Sequence, residues 1–154
     1  MISLLRLAAA AFAATCLAAP AVAQDTSLRA SYGEISLNAG FPGDPYVVPV
    51  TSGGTIDAAD SISNDCRGQI SNAPDFQLTY SAGSLPLAFV TDSPDDTTLI
   101  VNAPDGQWYC DDDSAGSLNA RVLFSKPLSG VYDVWVGSFG GGYHKATLNV
   151  TELP

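Results

Sequence analysis

Seven aspartates fall within residues 92–113, DSPDDTTLIVNAPDGQWYCDDD, beside a tryptophan and a cysteine and with no basic residue among them. Carboxylates so close repel one another unless water, backbone donors or a cation stands between them. Calcium, which takes roughly six to eight oxygen ligands, would relieve that repulsion. The expected cofactor is therefore calcium, and the expected metal ligands are Asp96, Asp111, Asp112 and Asp113, with Asn102 or Asn119 as further donors. The EF-hand pattern does not apply. Asp111, Asp113 and Gly116 fall at its first, third and sixth positions, but Ala115 stands at the fifth and Val122 at the twelfth. The competing explanation is that aspartates open turns and cap loops.

Other chemistries are available in smaller measure. His144 is the one histidine, so a serine-hydrolase mechanism would have to use it as base, with Asp133 behind it and Ser114 or Ser138 in front. A glycosidase needs two carboxylates set across a cleft, and a chain this short has little room for one. Trp135 and Asp133 share the strand face opposite Tyr132, Val134 and Val136, which makes them the expected binding residues for a protein or glycan partner. Trp108, next to Cys110, is expected to cover a disulfide.

The elements that must position these residues begin after an export signal. Arg6, an apolar run over 7–19, Pro20 and Ala21-Val22-Ala23 make 1–23 a secretory signal peptide cleaved before Gln24, and the apolar run is short for a membrane span. Cys16 follows Thr15 where a lipid-anchor site would carry a small residue, so lipidation is not expected. Residues 24–154 suit one domain. The chain has sixteen acidic residues against six basic and a formal charge of −10, which makes nucleic acid and anionic membrane surfaces poor partners. Cys66 and Cys110, sent to an oxidising compartment, are expected to pair. With one histidine and no second cysteine pair, they do not make a zinc site.

Turn residues recur every eight to twelve positions and no long stretch has helical spacing, which predicts an all-β chain. Strands are expected over 28–37, 46–51, 76–80, 85–89, 96–102, 107–110, 119–125, 131–137 and 143–151. Pro49 marks its strand as an edge or a bulge. The segments 76–80 and 85–89 read as a hairpin around Ala82-Gly83-Ser84, and a second hairpin turns at Ala103-Pro104-Asp105-Gly106. Residues 55–71 read as a loop or helical turn laid over the sheet and fastened by Cys66. Eight to nine antiparallel strands with one disulfide give a two-layer sandwich of jelly-roll type.

Asp96-Thr97-Thr98-Leu99-Ile100-Val101, Pro104-Asp105-Gly106, Asp111-Asp112-Asp113 and the run from Ser129-Gly130-Val131-Tyr132-Asp133 through Val134-Trp135-Val136-Gly137 to Ala146-Thr147-Leu148-Asn149-Val150 carry a resemblance. Over residues 75–152 the chain resembles the bacterial pre-peptidase C-terminal domain, a β-sandwich appended to secreted proteases. It is also similar to small stand-alone secreted proteins that carry a peptidase S1 label. The resemblance implies a jelly-roll-like sandwich, an accessory or binding role and, as in some relatives, calcium held by acidic loops. The Cys66–Cys110 bridge departs from the appended module. The expected function is a non-catalytic periplasmic or secreted binding module with a structural calcium site. The alternatives are a small secreted peptidase or hydrolase dependent on His144, and a structural or inhibitory partner of an envelope protein.

Overall fold

The computed structural model describes residues 24–154, so the expected signal peptide at 1–23 lies outside the described residues. Two sheets face each other. Sheet A is centred on β10 (Gly130–Ser138). One edge of β10 carries β5 (Phe76–Ser81) along its first half and β4 (Gln69–Ile70) at its end, and the other edge carries β7 (Thr97–Asn102). Outward from these lie β1 (Glu34–Asn38) on β5, β3 (Ile56–Asp57) on β4 and β8 (Trp108–Asp111) on β7. Sheet B runs β2 (Tyr46–Ser52), β11 (His144–Thr151), β6 (Leu87–Asp92), β9 (Arg121–Phe124).

The alternation in the sequence places the core. Tyr132, Val134 and Val136 of β10 meet Ala146, Leu148 and Val150 of β11 between the sheets, with Phe76, Leu78, Tyr80, Leu99 and Val101 filling from sheet A and Phe89 and Val122 from sheet B. Pro49 sits in β2, which pairs with β11 alone, so its missing N–H leaves no central ladder broken. The second predicted hairpin forms, with Ile100 opposite Cys110 and Asn102 opposite Trp108.

Sheet A is covered on its far side too. Ala58, Cys66, Ile70, Ile100 and Trp135 form a second cluster, against which Ile56, Ile62 and Trp108 pack. The chain over 56–70 that builds this cover contains β3, the single helical turn α1 (Ala58–Ser61) capped by Asp57, and β4. Cys66 and Cys110 are joined across 44 residues, a closure that stabilises by about 4 kcal/mol in the chain-entropy account.

Four expectations change. Eleven strands replace eight to nine, because the cover contributes the two-residue β3 and β4. The segments 76–80 and 85–89 are not a hairpin: β5 lies in sheet A and β6 in sheet B, so the turn at 82–86 carries the chain between layers. The strand expected over 28–37 shrinks to β1, because Ser31 and Tyr32 donate to the carbonyls of Pro74 and Asp75 before the ladder begins. β1 then runs parallel to β5, and this pair, with the seven-and-four division of strands, departs from the eight-stranded antiparallel jelly roll.

Between the last residue that β5 pairs with β10 and the first that β4 pairs, Val136 has no strand partner on that edge. Its N–H donates to Asp75 Oδ2 at 2.7 Å and its carbonyl accepts from Gly53 N–H at 2.9 Å. A side-chain carboxylate thus stands where a backbone carbonyl would, which satisfies a donor that burial would otherwise leave stranded.

Candidate functional site

Three connections meet at one end of the sandwich: 93–96 between β6 and β7, 112–120 between β8 and β9, and 139–143 between β10 and β11. Asn119 ties the first two, its Oδ1 accepting Ser93 N–H at 2.9 Å and its Nδ2 donating to Ser93 O at 3.2 Å. Thr97 N–H donates to Leu118 O, and Phe139 N–H to Asp96 O at 3.1 Å, which joins the third. Ser93 Oγ donates to Lys145 O at 3.0 Å. These bonds set the loops as one surface on fixed strand ends.

The aspartates divide by role. Asp111 accepts from Ser114 N–H at 2.9 Å, from the Ser114 hydroxyl and from Arg121 N–H at 2.8 Å, so its oxygens are engaged in closing the 112–120 loop. Asp96 has a buried Oδ1 with no hydrogen-bond partner, and its carboxyl is pushed up first by burial and then by Asp113 and Asp112. Of the expected ligands, Asp111 acts as a cap, and Asp96 feels the charges of Asp113 and Asp112. Among the described residues no three or more His, Cys, Asp or Glu side chains gather in a way that could hold a metal ion.

His144 sits at the same end, beside a shallow hollow of about 270 Å³ shared with Asp95, Asp96, Ser138 and the glycines of 140–141. Its Nδ1 lies 3.3 Å from Asp95 Oδ1 and its Nε2 3.1 Å from Gly141 O. Ser138 Oγ donates to that same carbonyl at 2.8 Å. Serine and histidine therefore meet at a backbone oxygen and not at each other. The two ring nitrogens face Asp95 Oδ1 and Gly141 O, so neither is turned toward a serine hydroxyl as a hydrolase base would be. The supporting carboxylate is Asp95, not Asp133, and Ser114 is bonded to Asp111.

Trp135 and Asp133 cannot form a binding face. Trp135 is 0% exposed, tilted against Trp108 with ring centroids 5.3 Å apart and packed in the cluster that holds the disulfide. Asp133, 5% exposed, accepts from Gln77 Nε2 at 2.7 Å, and burial pushes its carboxyl up. Both residues do lie on the side of β10 opposite the core set, as their alternation requires, but the cover over 56–70 is packed against Trp135 there.

Exposed apolar side chains do occur on the loop end, Tyr143 at 65%, Phe139 at 51% and Leu118 at 49%, while Leu153, Val47 and Leu128 are exposed elsewhere. From sequence, Gly140-Gly141-Gly142 reads as a connection only. The available signal is the pair of aromatics flanking the glycines, outside the strand alternation that would have buried them. Leu118 and its neighbour Ser117 also hold positive φ, 70° and 54°. Non-glycine residues adopt that conformation only against strain.

The fold and this end define a two-sheet β-sandwich with a fastened, acidic and partly aromatic loop surface. No family model matches the chain, so the likeness to the pre-peptidase C-terminal domain has no family model behind it, and no curated protein matches it either. A solved structure of a periplasmic lysozyme inhibitor of g-type lysozyme from Aeromonas hydrophila is similar over 77% of this chain and 96% of that one, at 14% identity and a TM-score of 0.39. At that distance function is read from this chain's own residues.

Proposed function

We propose that the protein is an exported, non-catalytic binding module of the periplasm or secreted space that grips a protein partner with its loop end. The observation that carries this reading is the trio Phe139, Tyr143 and Leu118, about half or more exposed on loops held by inter-loop hydrogen bonds. An exposed apolar residue with positive φ is unfavourable both for solvation and for backbone conformation, which favours a purpose outside the fold. Aromatic anchors ringed by charge are the usual make-up of a protein-binding patch. The aspartates at 95, 96, 112 and 113 lie on the same loops and favour a cationic surface. Export rests on residues 1–23 with cleavage after Ala23, and N-terminal sequencing of the exported protein tests it.

Calcium takes no part in this reading, since Asp111 is satisfied by protein donors. Hydrolysis is disfavoured because Ser138 Oγ and His144 Nε2 both turn to Gly141 O and not to each other. The direct test compares Phe139→Ser/Tyr143→Ser with Leu85→Ser, an exposed leucine outside these loops, in quantitative cross-linking and co-purification from envelope extracts. Loss of one specific partner with the loop variant alone is the expected result. Retention of every partner by the loop variant, with melting unchanged, would remove the proposal.

A further inference from the structure

The outward face of sheet B carries a groove of about 350 Å³ lined by Val90, Arg121 and Asn149, with Asp44, Pro45 and Leu153 at the opposite edge of the sheet. Asn149 stands opposite Val90 and Val90 opposite Arg121, so these three form one row across β11, β6 and β9. The volume falls in the range of small-ligand sites, and the lining is mainly apolar.

Arg121 is the unusual member. In a chain of sixteen acidic residues the guanidinium of this half-buried residue joins none of the ion pairs or side-chain hydrogen bonds of the described residues, and its one bond to a carboxylate is through its backbone N–H, to Asp111. The other arginines among the described residues are engaged: Arg29 with Glu34 at 3.8 Å, and Arg67 with the carbonyls of Asn64 and Cys66. A planar fork of donors left open beside an apolar trough matches a carboxylate attached to an apolar body.

We propose that this groove binds a small amphipathic monocarboxylate, its carboxylate on Arg121 and its apolar body along Val90 toward Pro45 and Leu153. Asp44 at the other edge repels a second negative charge, so dicarboxylates and acidic peptides are rejected. The groove touches the 112–120 loop at Ala115 but includes none of Phe139, Tyr143 or Leu118, and it does not depend on the partner-binding reading.

The test is a heteronuclear NMR titration of the exported protein with 4-phenylbutanoate to roughly 10 mM at fixed ionic strength, a range that detects millimolar binding. Saturable shifts are expected at the amides of 88–90, 121–123 and 149–153. Replacing the acid by 4-phenylbutanamide, or the protein by Arg121→Gln, should weaken binding about tenfold, the worth of a charge-assisted pair. Arg121→Lys should fall between, since it keeps the charge and loses the fork. Absence of saturable shifts, equal binding of the amide, or an Arg121→Gln protein that binds like the wild type would each overturn the proposal. The acid-against-amide comparison needs no variant and decides the matter even if Arg121→Gln folds poorly.

Discussion

Replacing Asp75 by asparagine should change how stability depends on pH, and by an amount the structure sets. Asp75 is 3% exposed, and its Oδ2 closes the gap in the ladder at Val136. Burial is the larger influence and lifts its carboxyl from 3.8 to about 7, against the lowering effect of the bond from Val136 and of the Ser71 side chain. Between those two values the folded chain holds a proton that the unfolded chain has released. Stability from this group is therefore complete below about pH 3.8 and falls by about 1.4 kcal/mol per pH unit until about pH 7, a loss on the order of 4 kcal/mol. An asparagine there would keep an acceptor oxygen for Val136 and cannot titrate. Its amide adds an N–H that needs a partner, but that cost is the same at every pH. The difference in stability between variant and wild type should move in the variant's favour by ~4 kcal/mol from pH 4 to pH 8. For a chain of this length that corresponds to roughly 15 °C in Tm. Circular-dichroism melts at constant ionic strength measure it, and the raised carboxyls of Asp96 and Asp133 cancel because both proteins contain them. A Tm difference that stays flat across that pH range would refute the account of Asp75 as a buried acid.

Three other outcomes follow from the geometry. Cys66→Ala/Cys110→Ala should lower stability by about 4 kcal/mol in denaturant melts and shift tryptophan emission to the red, because Trp135 and Trp108 pack in the cluster that the bridge closes. Millimolar calcium, compared with sodium at equal ionic strength, should leave Tm unchanged, given that the oxygens of Asp111 already accept from Ser114 and Arg121; a rise specific to calcium would restore the cation site expected from the aspartates. Leu118→Gly should raise stability by about 1 kcal/mol, since glycine accepts a φ of 70° without strain, and it should weaken partner binding while doing so.

Strand periodicity made most of the core legible: Tyr132, Val134 and Val136, and Ala146, Leu148 and Val150, face inward as their alternation requires. The disulfide followed from compartment and count. The cover over 55–71 fastened by Cys66 was legible too, but not which strand face it lies on. Trp135 lies on the side of β10 opposite the core, and only the three-dimensional path of 56–70 decides that this side is buried too. The split of 76–80 and 85–89 between sheets was hidden for a related reason, since a short turn between two alternating segments serves a hairpin or a crossing between layers equally well. At the site, clustering of aspartates was visible, but the donors that occupy Asp111 come from Ser114 and Arg121 through the fold of the loop. His144 showed its chemistry by type, whereas its acceptors, Asp95 and Gly141 O, are set by how three loops meet.

The cover on sheet A changes what it means for this chain to be finished. A sandwich normally completes its packing when its two sheets close, yet here Trp135 and Ile100 remain on an outer surface until 56–70 is laid across them and Cys66 is joined to Cys110. That last fastening is an oxidation. With the two thiols reduced the flap is held by van der Waals packing and a few hydrogen bonds alone, so the same polypeptide is a looser object before that oxidation than after it. Its final shape then reports the redox state of the space it occupies.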